Sequence, residues 1–481
     1  MNRDLVAALE LARSSALDYR ARIAQRAPRP AVEFAELEAA FDLPLPQQRR
    51  SAEEVVRDLI RAAEPGLMAN AGPNFFGWVQ GASHPSGVAA DWLTSAWGQN
   101  AGLYRTSPAA AVAEIVAGRW ILDLLDLPRQ SLIGFATGAT TAGLTCLLVA
   151  RDRVLAAAGW NLRERGMFGA PAVTVLLGEE AHSTIFAALR YLGFGECNLL
   201  RVAVDDQGRM IAAHLAQQLA DRRGPKIVVA QAGHINSGAC DPLESIAELA
   251  RAHAAWLHID GAFGLWARAA PALKSQCRGA ELADSWSVDG HKWLQVPYDC
   301  AFAIVRDTKA QQESLQIAAS YLDQPPEGAY NPSSLVLELS RRARGFTVWT
   351  MLQTLGRDGL AELVMHHCRC AGYLRDRLAV ESGIKILNDV VLNQLAIAFA
   401  VGAPESEQAR LTDAVIEAIQ RENRSYVGPA SWKGLRIMRV SVVSGETEIA
   451  HMEILANSIL AAWRRIAPAG DADGAPPAGR H

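Results

Sequence analysis

From about residue 110 onward, short apolar stretches alternate with helical patterns, and this alternation restricts the fold more than any other feature of the chain. A helix over 110–125 leads to an apolar strand at 132–135, a small-residue loop at 136–139 and a helix at 141–158. Strands at 173–177, 227–230, 256–259 and 301–305 follow, with helices at 184–192 and 243–254 among them. Strands separated by helices need crossover connections, so the expected core is a mostly parallel sheet covered on both faces. In such sheets the ligand crevice lies beyond the carboxyl ends of the strands, and residues just after each strand are the first candidates for chemistry.

The remaining sequence adds smaller units around that sheet. Helical patterns at 4–26 and 52–63 are joined by a link carrying Pro28, Pro30, Pro44 and Pro46. The pair is too small for its own core and is expected to pack on another surface. A long helix from about Arg341, strands at 390–400 and 435–443 and a helix at 446–466 predict a smaller α+β domain. The expected organisation is a helical N-terminal segment (1–75), a large domain (76–340), a small C-terminal domain (341–466) and a disordered tail (467–481) rich in Ala, Gly, Pro and Asp. With 481 residues, half of them apolar, and a net charge of −4, a nucleic-acid-coating or disordered chain is excluded as the main reading. Apolar runs such as 395–401 are far too short to span a bilayer, and the start lacks the pattern of a secretory leader. Seven scattered cysteines without a C-x-x-C pair argue against a disulfide scaffold and for a reducing cytoplasm.

Four segments carry chemically informative residues, one of them ahead of a strand and three at or just after a strand end. In the first, Asp284, Trp286, Asp289, His291, Lys292 and Trp293 precede a strand; apolar Leu294 and Val296 suggest partly dehydrated surroundings that leave the lysine amine nucleophilic. A surface lysine beside an incidental histidine is the plain alternative. In the second, the strand around His258 ends in Asp260, followed by Gly261 and Ala262, which let a flat ligand approach. A buried carboxylate there needs a cationic partner, such as a protonated pyridine nitrogen, unless it merely caps the turn. In the third, His182 follows a strand and can stack on a ring, handle a proton or make an ordinary polar contact. In the fourth, Thr137, Gly138, Ala139, Thr140 and Thr141 form a small-residue helix start that suits a phosphate; the alternative is two threonines capping the helix. Neither G-x-G-x-x-G nor G-x-x-x-x-G-K-[ST] occurs, so nucleotide binding loses its main support.

Together these segments supply a phosphate cradle, a ring-stacking group, a pyridinium partner and an amine, the fittings of pyridoxal phosphate. From Pro73 to about Ile466 the chain resembles the group II pyridoxal-phosphate-dependent amino-acid decarboxylases, which include the aromatic-amino-acid and glutamate decarboxylases. The D-x-W-x-x-D-x-H-K-W segment with Pro297, Tyr298, Asp299 and Cys300 carries most of the likeness. Glu180 to Ser183, His258 to Ala262 and Leu339 to Arg342 support it. The resemblance implies the aspartate-aminotransferase fold, called fold type I: a mostly parallel central sheet with helices on both faces plus a smaller C-terminal α+β domain. It further implies that Lys292 carries the cofactor as a Schiff base, Asp260 keeps the pyridine nitrogen protonated and His182 stacks on the ring, with Ala262 on the opposite face. Ala139 and Thr140 would hold the phosphate, and His291 would sit between phosphate and substrate.

The same resemblance bears on the product. Tyr321 opens a Pro- and Gly-containing stretch that reads as a mobile loop or a plain linker. In the family a tyrosine there, at a site shared between subunits, reprotonates Cα, whereas relatives with Phe make aldehydes. An amine product is therefore favoured, with Tyr330 the second choice for the acid. Departures are Asp289, where some members have Asn; Gly233 to Ser237 in place of a Thr-rich turn near the ring hydroxyl; and Thr141, where Glu is common. Substrate choice should depend on 75–85 and 100–108, where Gly102 falls near the aromatic wall of relatives, Trp78 lines the pocket or fills core, and Arg105 meets an acidic substrate or forms a surface salt bridge. Competing readings are an aminotransferase, another pyridoxal-phosphate lyase or aldehyde synthase, and a catalytically silent cofactor-binding protein. A homodimer is expected, without nucleic-acid, membrane or metal partners, since His253/His258 and His366/His367 lack a convincing ligand spacing.

Overall fold

The computed structural model describes residues 3–317, 325–326 and 328–467. Tyr321 and the tail residues 468–481 lie outside the described residues. Seven strands build the large sheet: β1 (Leu132–Ala136), β2 (Thr174–Gly178), β3 (Leu199–Val202), β4 (Lys226–Gln231), β5 (Trp256–Asp260), β6 (Ser285–Asp289) and β7 (Ala301–Val305), in the order β1-β7-β6-β5-β4-β2-β3. The β6–β5, β5–β4, β4–β2 and β2–β3 pairs are parallel, and β7 runs antiparallel to both of its neighbours. The carboxyl ends of β1, β2, β4, β5 and β6 thus open on one edge. Strands β4 to β7 are buried along their whole length, as expected of strands covered on two faces.

The sequence pattern found most of these elements but not β3 or β6. β3 is short, with an exposed Arg201, and β6 (Ser-Trp-Ser-Val-Asp) alternates small polar and apolar residues, although sheet neighbours bury all five. The second unit is an antiparallel sheet of β8 (Ile384–Ile386), β9 (Gln394–Phe399), β10 (Gly428–Trp432) and β11 (Leu435–Ser441), in the order β10-β11-β9-β8. Helices Glu405–Glu422 and Ile449–Ile466 pack on it through Leu411, Val415, Leu455 and Ile459. The long helix Arg344–Leu378 is broken at Gly356, whose backbone (φ 61°, ψ −173°) only glycine adopts easily. At the N-terminus, Arg3–Arg22 packs against Ala52–Ala63, and the proline-containing link between them holds a further helix, Phe34–Phe41. Among the described residues no helix is long and apolar enough to cross a membrane.

Candidate active site

The strand ends place the chemistry. β5 finishes on Asp260, a buried carboxylate whose only hydrogen bond among the described residues is from the Ala262 N–H at 3.2 Å. Burial pushes its pKa up, and the nearby His182 and Lys292 pull it back down. Among the described residues no cation lies within ion-pair distance of this carboxylate, so it is short of a positive partner. His182 follows β2 and caps helix Ser183–Tyr191: its Nδ1 accepts from the Thr184 N–H at 3.4 Å and lies 2.8 Å from the Thr184 hydroxyl. Burial lowers the imidazole pKa, which Asp260 opposes, so the ring is mainly neutral.

β6 ends on Asp289, three residues before Lys292. The lysine Nζ lies 2.9 Å from Asp289 Oδ2, and the other carboxylate oxygen accepts the Ala139 N–H at 2.6 Å. Lys292 is thus paired with a carboxylate, where its apolar sequence neighbours Leu294 and Val296 had suggested dehydrated surroundings; those two side chains are buried in the core instead. His291 is buried, accepts the Cys300 N–H on Nδ1 at 3.2 Å and directs Nε2 toward Asp289 at 3.5 Å. Burial lowers its pKa as well. The Tyr298 ring covers it at 4.4 Å between centroids.

The loop after β1 brings a helix N-terminus to the same place. Gly138 is the extended N-cap of helix Ala139–Ala157, without a side-chain cap, so the threonines do not cap it; Thr137 and Thr141 share a 3.0 Å bond between hydroxyls. Thr140 is exposed in the first turn. Ala139, Asp289, His291 and Lys292 thus share one corner, while Asp260, Ala262 and His182 line the adjoining wall, linked by the Asp289 N–H donating to the Ala262 carbonyl at 2.9 Å. In this corner Asp289 is an anion resting on a helix N-terminus, the position a phosphate would take. An anion seat, a cation-poor buried carboxylate, a neutral imidazole and an amine fit pyridoxal phosphate.

In the turn after β4, His234 and Ser237 are engaged in bonds of their own, and Asn236 Oδ1 is buried without a hydrogen-bond partner among the described residues. His234 Nδ1 accepts from the Asn236 and Ser237 N–H groups, so Nε2 carries the proton and donates to Glu180 at 3.1 Å, and the same carboxylate oxygen accepts the Trp432 indole N–H at 2.8 Å. Gly102 is buried with its N–H and C=O both bonded, and a Cβ there would lie 2.0 Å from the Leu339 carbonyl. Arg105 is exposed and engaged in contacts of its own.

One feature escaped the sequence reading, and a second was read only in part, since 75–85 with Trp78 was expected to shape substrate choice but Tyr426 was not expected to join it. Arg439 on β11 is partly buried, influences His182 electrostatically and has no hydrogen-bond or ion-pair partner among the described residues; burial alone lowers its pKa. Its signal was an arginine inside an apolar strand. The second is an aromatic shelf: Phe75 stacks on Tyr426 at 4.8 Å, and Trp78, half exposed, leans on Tyr426 at 5.1 Å. Trp78 and Val79 both have left-handed backbones (φ 53° and 57°), strain of the kind stored at working sites.

Comparison with known proteins agrees with this geometry. A family model described as a pyridoxal-dependent decarboxylase conserved domain matches residues 35–401. Tryptophan decarboxylase 1 of Oryza sativa subsp. japonica is 27% identical over 424 residues, covering 82% of this chain and 81% of that protein. Phenylacetaldehyde synthase of Arabidopsis thaliana is 24% identical over 430 residues, covering 85% of each. A crystal structure of Oryza sativa TDC with PLP and tryptamine superimposes with a TM-score of 0.90 at 24% identity, covering 97% of this chain and 99% of that one.

Proposed function

This chain belongs to the pyridoxal-dependent decarboxylase family, and we propose that it converts an aromatic L-amino acid to its amine and CO2 with Lys292, Asp260 and His182 around the cofactor. It is a pyridoxal-phosphate-dependent carboxy-lyase of fold type I. When bound, pyridoxal phosphate supplies an imine link to an amine and a protonated ring that spreads the electron pair left at Cα when CO2 departs. The chain's own residues do the rest. Asp260 stabilises a proton on the ring nitrogen, and its shortage of cations is the observation that carries this reading. His182, neutral and held by Thr184, stacks on one ring face, and Ala262 leaves room on the other. Ala139 and Thr140 offer the helix start to the phosphate, with His291 between phosphate and substrate. Lys292 provides the amine, and Tyr321 returns a proton to Cα.

The aromatic shelf of Phe75, Trp78 and Tyr426 supports an aromatic substrate, and Arg439 is the cation available to a substrate carboxylate. We assign the chain to units 1–75, 76–340, 341–466 and 467–481. The N-terminal helices and their link leave Leu9, Phe34, Leu45 and Leu59 exposed, and Trp92 and Trp97 stand out on helix Pro85–Trp97. That surface suits a second copy in a homodimer. Seven free thiols suit the cytoplasm.

The test is reconstitution with pyridoxal phosphate, borohydride reduction and peptide mapping, followed by CO2 and amine assays on Trp, Tyr, Phe and Glu. The cofactor should be fixed on Lys292, and one amine should form per CO2 from an aromatic substrate without an oxo-acid acceptor. A label on another lysine, or turnover that needs an oxo acid, overturns the reading.

A further inference from the structure

Two residues that follow Lys292, Trp293 and Gln295, are fastened to a single turn of the C-terminal domain. Gln295 is 1% exposed, and its amide is fully used: Nε2 donates to the Lys292 carbonyl at 2.9 Å and to the Val443 carbonyl at 2.7 Å, while Oε1 accepts the Gly445 N–H at 2.9 Å. Its backbone N–H also donates to the Lys292 carbonyl at 3.2 Å, and its carbonyl accepts the His84 N–H at 3.0 Å. Between Val443 and Gly445, the Ser444 carbonyl accepts His367 Nε2–H at 2.9 Å, and His367 Nδ1 accepts the indole N–H of Trp293 at 2.8 Å. On the other side Gly81 presses on the same backbone, for a Cβ there would lie 1.8 Å from the His291 carbonyl.

Gln295 makes these contacts from a left-handed backbone, φ 60°, which a long side chain rarely adopts. Asparagine or glycine would suit that conformation better, so the backbone alone does not call for glutamine. What glutamine adds is reach: its two N–H donors join the lysine carbonyl to the turn at 443–445. Resting on Lys292 as the cofactor's lysine, we propose that Gln295 is a positioning residue that fixes the direction in which this amine leaves the backbone, acting through the turn at 443–445. A lysine peptide free to rotate would present its amine in many orientations, and only a fraction of them would meet the cofactor carbonyl.

Gln295→Asn separates the two roles, because Asn tolerates the left-handed backbone but falls one methylene short of the turn. The apoprotein of this variant should keep wild-type far-ultraviolet circular dichroism and melting temperature. It should take up pyridoxal phosphate at least tenfold more slowly, and the bound cofactor should lose most of its visible circular dichroism. Wild-type uptake rate and an unchanged visible band would overturn the inference while leaving Lys292, mapped by borohydride in the wild type, in place. A wild-type label on any other lysine overturns both. If Gln295→Asn does not fold, hydrogen exchange in the wild-type apoprotein decides. The Gly445 and Gln295 amides should be protected to the same degree, and Gly445 exchanging a hundredfold faster would remove the clamp.

Discussion

Asp289 reaches Lys292 with one carboxylate oxygen at 2.9 Å and the Ala139 N–H with the other at 2.6 Å. One carboxylate therefore occupies both the lysine and the helix start proposed for the phosphate. A phosphate brought to that helix would meet a like charge; at about 4 Å such repulsion amounts to about 1 kcal/mol in water-like surroundings and about 4 kcal/mol near a protein surface. Asp289→Asn should bind pyridoxal phosphate about tenfold more tightly in a fluorescence titration at neutral pH. An unchanged or weaker affinity would place the phosphate away from Asp289.

The cation-poor environment of Asp260 leads to a different outcome. Asp260→Asn keeps the side-chain size and can still pack against Ala262, so cofactor content should stay near that of the wild type. Without the carboxylate the ring nitrogen gives up its proton, and kcat should fall by roughly a hundredfold or more, as when other buried electrostatic partners are removed. Asp260→Glu should recover part of that loss. Retention of full activity in Asp260→Asn would reject the pyridinium role.

The role proposed for Tyr321 is to decide between amine and aldehyde. Phenylacetaldehyde synthase is among the similar proteins, so the fold alone does not choose the outcome. Tyr321→Phe removes the proposed proton donor and should divert product from amine toward aldehyde with ammonia and peroxide in aerobic buffer. A product mixture identical to that of the wild type would take Tyr321 out of the reaction and leave Tyr330, partly buried near Glu114 and Arg341, as the acid to test next.

Two buried histidines contribute to the response to acid. Burial lowers the pKa of His258 and of His367 to about 3, against an ordinary value near 6.5. Their neutral forms contribute stability that is fully present above 6.5 and is lost as pH falls toward 3, each by about 1.4 kcal/mol per pH unit. Asp241 acts in the opposite direction. Burial raises it to about 6, so from about 6 down to about 4 the folded state holds the extra proton and gains about 1.4 kcal/mol per unit. Over that window the three groups leave a net loss of about 1.4 kcal/mol per unit on acidification. His367→Gln removes one titrating site, so its urea-derived stability should decline between pH 6 and 4 by about 1.4 kcal/mol per unit less than that of the wild type. Parallel curves would show that His367 is not held neutral.

The legibility of this chain divides along a physical line. Chemistry on a strand end announced itself, because Asp260, His182 and Lys292 are polar residues directly after or beside apolar runs. The helix start at 138–141 was readable from its small residues, yet Asp289 at Ala139 was not, since that pairing spans 150 positions and depends on β6 lying two strands from β1. β6 itself was hidden, because Ser285 and Ser287 become core residues only through the neighbouring strands and His258. Gln295 and His367 gave no local signal at all. Their meaning lies in one turn of the second domain, about 150 and 77 positions away.

Arg439 extends the same point to substrate binding. It sits on β11, paired with Ala396 and Gly428, on the side opposite the core residues Met438 and Val440. Its guanidinium is partly buried, and among the described residues nothing neutralises it, although leaving a buried charge unpaired is costly. An incoming substrate carboxylate would supply the missing partner, and a charge-assisted hydrogen bond of this kind contributes about 1.5–3 kcal/mol. Arg439→Met keeps the length and apolar stem but removes the charge, so KM for the preferred amino acid should rise about tenfold or more with kcat changed far less. Arg439→Lys should restore part of the affinity, and an ester of the substrate should bind wild type and Arg439→Met equally. If KM is unchanged in Arg439→Met while the melting temperature drops, the arginine supports the sheet and the substrate carboxylate is bound elsewhere.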